Sequence, residues 1–207
     1  DPSAAGPSGT AVGAPDRAAP AACTRPKRAD AQRNYDRVLA AAREAFAQRG
    51  ASTSLEEIAR RAGVGIGTLY RHFPNRQALL EAVYVDEVAD VCRQAAELDG
   101  TGAWDAFATW LRRLAGYLVT KQALTQELLE YMDLDAPLFA SCRSSLHDAG
   151  QPLLRRAQAT GSVRPDTNLT EIIKMIGAIA KIPATAPEQR ERILQIALDG
   201  LRYQPSR

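Results

Sequence analysis

Between Ser54 and Pro74 the chain has room for two short helices and little else. Ser54 followed by Glu57 is a capping-box pattern, in which the serine oxygen takes an orphan amide and the glutamate reaches back. Leu55, Ile58, Ala59 and Ala62 then line one face of a helix that stops at Gly63. After the turn Gly63-Val64-Gly65, the segment Ile66 to His72 holds only two helical turns before Phe73 and Pro74 end it. Upstream, Val38, Leu39, Ala42 and Phe46 recur at helical spacing between Asp30 and Arg49, with Gly50 where a C-terminal cap belongs. Downstream, Asn75 caps a longer helix carrying Leu79, Leu80, Val83, Val88 and Val91, which ends near Asp99-Gly100-Thr101-Gly102.

The rest of the chain continues in the same period. Trp104, Phe107, Leu111, Leu114 and Leu118 predict a fifth helix, and Leu124, Leu128, Leu129 and Met132 a sixth. Pro137 opens a seventh with Leu138, Phe139, Cys142 and Leu146, expected to bend at Gly150 and Pro152 and to close at Gly161. Asn168 with Glu171, and Thr185 with Glu188, are capping pairs for the last two helices. Those two are apolar over more than one stripe, so a second buried face is expected on each. No segment alternates as a strand does, and aromatic residues, at 6%, leave little for an aromatic-rich sheet. The predicted fold is all-α with about nine helices.

Charge is unevenly spread. Residues 25–76 carry eleven Arg/Lys against five Asp/Glu, a net +6, whereas 77–207 carry fourteen against seventeen, a net −3. A basic block before a mildly acidic remainder suits one part that meets a polyanion and one that does not. The first 24 residues are rich in Ala, Pro and Gly, without the basic start and apolar stretch of a signal peptide, and read as the larger part of a disordered tail over 1–28. No segment reaches the roughly 18 apolar residues of a membrane span. Cys23, Cys92 and Cys142 are odd in number and far apart, which favours a reducing, cytoplasmic setting over secretion.

Two short helices joined by a glycine-containing turn in a basic setting form a helix-turn-helix candidate. The run from Ser54 to Leu80, with Gly67-Thr68-Leu69-Tyr70-Arg71-His72-Phe73 at its centre, resembles the DNA-binding region of TetR-family regulators. Gly65 departs from the serine common at that position, and Arg76 from a lysine. With Leu69 facing inward at about 100° per residue, Gly67, Thr68, Tyr70 and Arg71 form the outward side of the second helix. Thr68 and Tyr70 are suited to phosphates, Arg71 to a phosphate or a guanine edge, and His72 to a phosphate. Ser54, Asn75 and Arg76 sit at helix starts whose free amides favour phosphate oxygens, and Gly65 and Ile66 complete the candidate DNA-binding set. A nucleotide-binding loop is a poor reading of Gly63-Val64-Gly65-Ile66-Gly67, which follows a helix and lacks the last glycine.

Little in the chain suggests an enzyme. His72 and His147 are the two histidines, Cys142 and His147 fall on different helix faces, and Ser145, His147 and Asp148 are merely adjacent in sequence. No catalytic residue, metal or cofactor is expected. The resemblance implies residues 29–76 as the DNA-binding unit and 77–207 as an effector-binding and dimerising unit. It also implies an inducer cavity, for which Trp104, Phe107, Trp110, Tyr117, Tyr131, Met132, Phe139 and His147 are the candidate lining, with Glu127, Glu130 and Arg143 as further polar anchors. Ile172, Ile176, Ile179, Ile193, Leu194, Ala197 and Leu201 are the candidate homodimer interface. The implied function is a regulator, typically a repressor, that binds a palindromic double-stranded DNA operator and is released by a small-molecule effector. The alternatives are a helical partner-binding protein without DNA affinity, or a DNA-binding regulator with no ligand.

Overall fold

The computed structural model describes residues 27–49, 53–98, 100–183 and 187–202. Eight helices stand among them: α1 (Lys27–Arg49), α2 (Leu55–Ala62), α3 (Ile66–His72), α4 (Arg76–Ala96), α5 (Ala103–Leu128), α6 (Pro137–Ala159), α7 (Leu169–Ala180) and α8 (Pro187–Leu201). The all-α expectation holds, with one isolated antiparallel bridge, Val163 to Arg202, tying the α6–α7 connection to the end of α8. The Arg164 amide donates to the Leu201 carbonyl beside it, at 3.0 Å. Residues 1–26 of the predicted tail, the cap at Gly50, Asp99 of the predicted turn and the cap at Thr185 lie outside the described residues, whereas Lys27 and Arg28, the end of that predicted tail, open α1.

Helices α1, α2 and α3 pack on one another, and α4 leaves them to run against α5 and α6. The predicted fifth and sixth helices are one. Leu124 and Leu128 are buried on the last turns of α5, while Leu129 and Met132 fall in the turn that follows. Nothing between Leu118 and Leu124 is a glycine or proline, so the chain has no local reason to break there. Helix α6 likewise runs unbroken through Gly150 and Pro152. Pro152 denies the Asp148 carbonyl its helical donor, and both residues lie on the exposed side of the helix.

Gly150 has a packing role. A Cβ there would lie 2.2 Å from the Trp110 ring, which α5 buries completely. The absent side chain is what lets α6 approach α5 over the largest residue of the core. At the start of α7 the predicted capping box is complete: Asn168 accepts from the Glu171 amide at 3.0 Å, and the Asn168 amide donates to the Glu171 carboxylate at 3.3 Å. No helix among the described residues is long and apolar enough to cross a membrane.

Candidate nucleic-acid interface

Helix α3 is anchored at two points and open everywhere else. Leu69 and Phe73 are buried, and Tyr35 of α1 packs against Phe73 with ring centroids 4.9 Å apart. The turn before α3 is fixed as well. Gly63 sits at φ 62° in the left-handed region, the Gly63 and Val64 amides donate to the Arg60 and Ala59 carbonyls, and Arg37 of α1 donates to the Gly63 carbonyl at 2.8 Å. This places Gly65, Ile66, Gly67, Tyr70 and Arg71 on the exposed side, with Tyr70 44% accessible. Thr68 and His72 are half-buried, and the imidazole of His72 meets the edge of Tyr35 at 5.9 Å.

Most cations around this surface are already engaged. Glu57 accepts from both Arg60 and Arg61, and these bonds, Arg61 first, hold its carboxyl down to about 2. The capping box is therefore half made: Ser54 Oγ accepts from the Glu57 amide at 3.2 Å, while the glutamate turns to the arginines instead of reaching back. Arg33 pairs with Asp30 and Arg43 with Asp86. Arg71 is exposed and, among the described residues, has no hydrogen bond or ion pair.

The Arg76 side chain plays a part that the sequence did not show. Its guanidinium turns inward, donating to the Glu127 carboxylate of α5 at 2.5 Å and to the Thr53 carbonyl at 2.6 Å, with its carbon 5.5 Å over the Phe46 ring. Thr53 and Glu127, 4% and 7% exposed, are the buried polar residues among those described, and one side chain engages both. Sequence reasoning missed this because the partners lie 23 and 51 positions away, beyond any helical period. Asn75 keeps its predicted role as the α4 cap, accepting from the Ala78 amide at 2.8 Å.

This arrangement, two short helices with the second presented outward, is shared by known proteins. Residues 38–83 match the tetR family of bacterial regulatory proteins, and 103–203 match the C-terminal domain of SbtR-like transcriptional regulators. A TetR transcriptional regulator of Streptomyces coelicolor is 35% identical, with a TM-score of 0.70 over 82% of this chain and 98% of its own. The chain belongs to the TetR family. A TetR transcription regulatory protein of Mycobacterium vanbaalenii is similar to the same degree, 35% identical with TM-score 0.70 over 86% of this chain and 99% of that one. The HTH-type transcriptional regulator UidR of Escherichia coli is 26% identical over 75% of this chain and 84% of its own length. As a TetR-family member the chain is a helix-turn-helix transcriptional regulator.

In this TetR-family chain the eight predicted ligand residues do not converge on one cavity. Phe107, Trp110 and Phe139 are packed core: the first two stack at 6.4 Å, and Phe139 meets Tyr84 edge-on at 5.3 Å. Tyr131 is exposed after α5, Met132 and His147 are half-buried, and Trp104 lies under the Arg202 guanidinium at 5.1 Å. Tyr117 does border a cavity, between α1, α4 and α5. Of the further anchors, Glu127 is taken by Arg76, Glu130 is exposed, and Arg143 donates to the Leu134 carbonyl at 3.4 Å.

The predicted dimer residues also divide. Ile172, Ile176, Ile179, Leu194 and Leu201 are buried within the single chain, because α7 and α8 spend their strongest stripe on their own bundle. Ile193 and Ala197 are half-buried, and Ile196, absent from the predicted set, is 71% exposed.

Proposed function

We propose that this regulator is a homodimeric repressor whose α3 enters the major groove of a palindromic operator, and that a small molecule bound in the bundle lowers its operator affinity. Residues 29–76 act as the DNA-binding unit and 77–207 as the effector and dimer unit. The observation that carries the reading is Arg71, an uncommitted cation beside Tyr70 on the outward face of α3, where most neighbouring charges are neutralised. A side chain with no internal partner breaks no bond within the protein when it meets a phosphate or a guanine edge. The backbone amides at the starts of α2 and α4, capped by Ser54 and Asn75, add phosphate sites that position the unit without reading sequence.

Dimerisation follows from the exposed Ile196 with Ile193 and Ala197 on α8, a face fit for a second copy across a two-fold axis. The test is a titration of the full chain on the promoter next to its own gene, by fluorescence anisotropy at several salt concentrations. Saturable binding with one dimer per site, much tighter than to unrelated DNA, is expected. Equal affinity for both DNAs overturns the operator reading.

A further inference from the structure

Three residues that line one cavity, one on each of three helices, each hold a buried polar atom without a well-formed hydrogen bond. The cavity has about 410 Å³ and lies between α1, α4 and α5, walled by Arg43 and Ala47, by Glu87 and Val91, and by Arg113 and Tyr117. Glu87 Oε2 and Arg43 Nε are shielded from solvent without a hydrogen bond, and Tyr117 Oη lies near the Tyr84 phenol but makes no hydrogen bond of normal distance and angle. A buried donor or acceptor left unpaired costs about 1–3 kcal/mol, so three around one space mark a place where an absent molecule completes the set. Burial pushes the Glu87 carboxyl up, against the pull of Arg43, which agrees with a carboxyl poor in partners.

The chemistry of the walls narrows the occupant. Arg43 already pairs with Asp86 through its terminal nitrogen, and Asp90, also on the wall, accepts from Arg93 and Gln94. Arg43 and Arg113 balance Glu87 and Asp90, so neither a cation nor an anion is favoured. What remains is an acceptor at Glu87 needing a donor and a donor at Arg43 needing an acceptor, with the Tyr117 phenol beside them, on walls completed by Ala47, Val91 and Gly116 and by Gln94 and Thr120, whose side chains already donate to Asp90 and to the Tyr117 carbonyl. We propose that this cavity binds a neutral, largely apolar small molecule that carries a hydrogen-bond donor beside an acceptor, as a carboxamide does, seated between Glu87 and the Arg43–Tyr117 pair.

The proposal rests on the effector reading above and gives it a location. Because α1 packs on α2 and α3, a molecule wedged between α1 and the α4–α5 pair bears directly on the position of the recognition helix. It need not act through the distant aromatic core.

Benzamide is the probe, with toluene, benzoate and benzylammonium as controls of the same ring. Methyl NMR of the unaltered full chain is expected to show saturable shifts at Ala47 and Val91 with benzamide at lower concentration than with any control. Glu87→Leu and Tyr117→Phe are each expected to weaken benzamide about tenfold, an effect of order 1.4 kcal/mol. Glu87→Met, which keeps the length of the side chain and removes the acceptor, secures the test if the leucine variant does not fold. The proposal is overturned if benzoate or benzylammonium binds better than benzamide, if the shifts appear away from this cavity, or if folded Glu87→Met and Tyr117→Phe both bind benzamide unchanged. Operator release is read separately. Benzamide that fills the cavity without altering operator affinity sinks the effector reading and leaves the site standing. A compound that releases operator equally from the parent and both folded variants does the reverse.

Discussion

Tyr70, Thr68 and Arg71 differ in what they are free to give. The phenol of Tyr70 is exposed and the Thr68 hydroxyl half-buried, so Tyr70→Phe and Thr68→Ala each remove one donor and leave the core untouched. Each is expected to weaken operator binding by about 0.5–3 kcal/mol with the melting temperature unchanged, measured by anisotropy and calorimetry. Arg71→Ala should lower operator affinity more than affinity for unrelated DNA. A uniform loss would instead mark a phosphate contact. Gly150 behaves oppositely: Gly150→Ala drives a methyl into Trp110 and is expected to destabilise by about 1–3 kcal/mol or more, partly rescued by Trp110→Phe. The outward set on α3 was legible in the sequence because a seven-residue helix with one buried leucine has only one way to face. The inward turn of Arg76 was not, since it depends on a carboxylate 51 positions away.

Among elements, the junction of α4 with α5 holds the testable electrostatics. Arg76→Met or Glu127→Leu alone strands a largely buried charge and is expected to cost about 3–5 kcal/mol in urea denaturation, while the double variant recovers most of it. Lys121 of α5 lies 4.7 Å from the Tyr84 ring centre and 5.4 Å from that of Tyr117, and burial lowers its amine to about 8 from an ordinary 10.5. Between those values the unfolded chain holds the proton more often than the folded one, so stability should rise with pH across that window. Below about 8 the amine is protonated in both states and its cost is constant. Burial raises both phenols, Tyr84 to about 12, so the folded state keeps protons that the unfolded chain loses above about 10, and stability should then fall. Urea midpoints between pH 7 and 11 should thus pass through a maximum, and Lys121→Met should remove the rising limb. Helix periodicity located α4 and α5. It merged nothing across Lys121 and Leu124, because sequence period alone does not tell a continuous helix from two in line.

For the whole molecule, the decisive surface is the outer face of α8. Ile196→Glu changes a side chain already 71% exposed, so it should give a folded monomer by light scattering with an unshifted circular dichroism spectrum, and operator affinity should drop as two linked half-site contacts become one. Ile176→Glu, by contrast, puts a charge in the chain's own core and should unfold it. The sequence showed that α7 and α8 were apolar on more than one side, but not which side the bundle would claim for itself. The grip of Arg76 on Thr53 and Glu127 bears on how such proteins can be recombined. A hybrid that grafts this DNA-reading unit onto the bundle of a relative carries Arg76 with it, and the seam is silent only if the new bundle offers a carboxylate at the end of its corresponding helix. Without one, the graft inherits a buried cation and a slackened hold on the strand of chain leading into Ser54. Choosing hosts by that single carboxylate should sort hybrids that fold and read DNA from those that do neither.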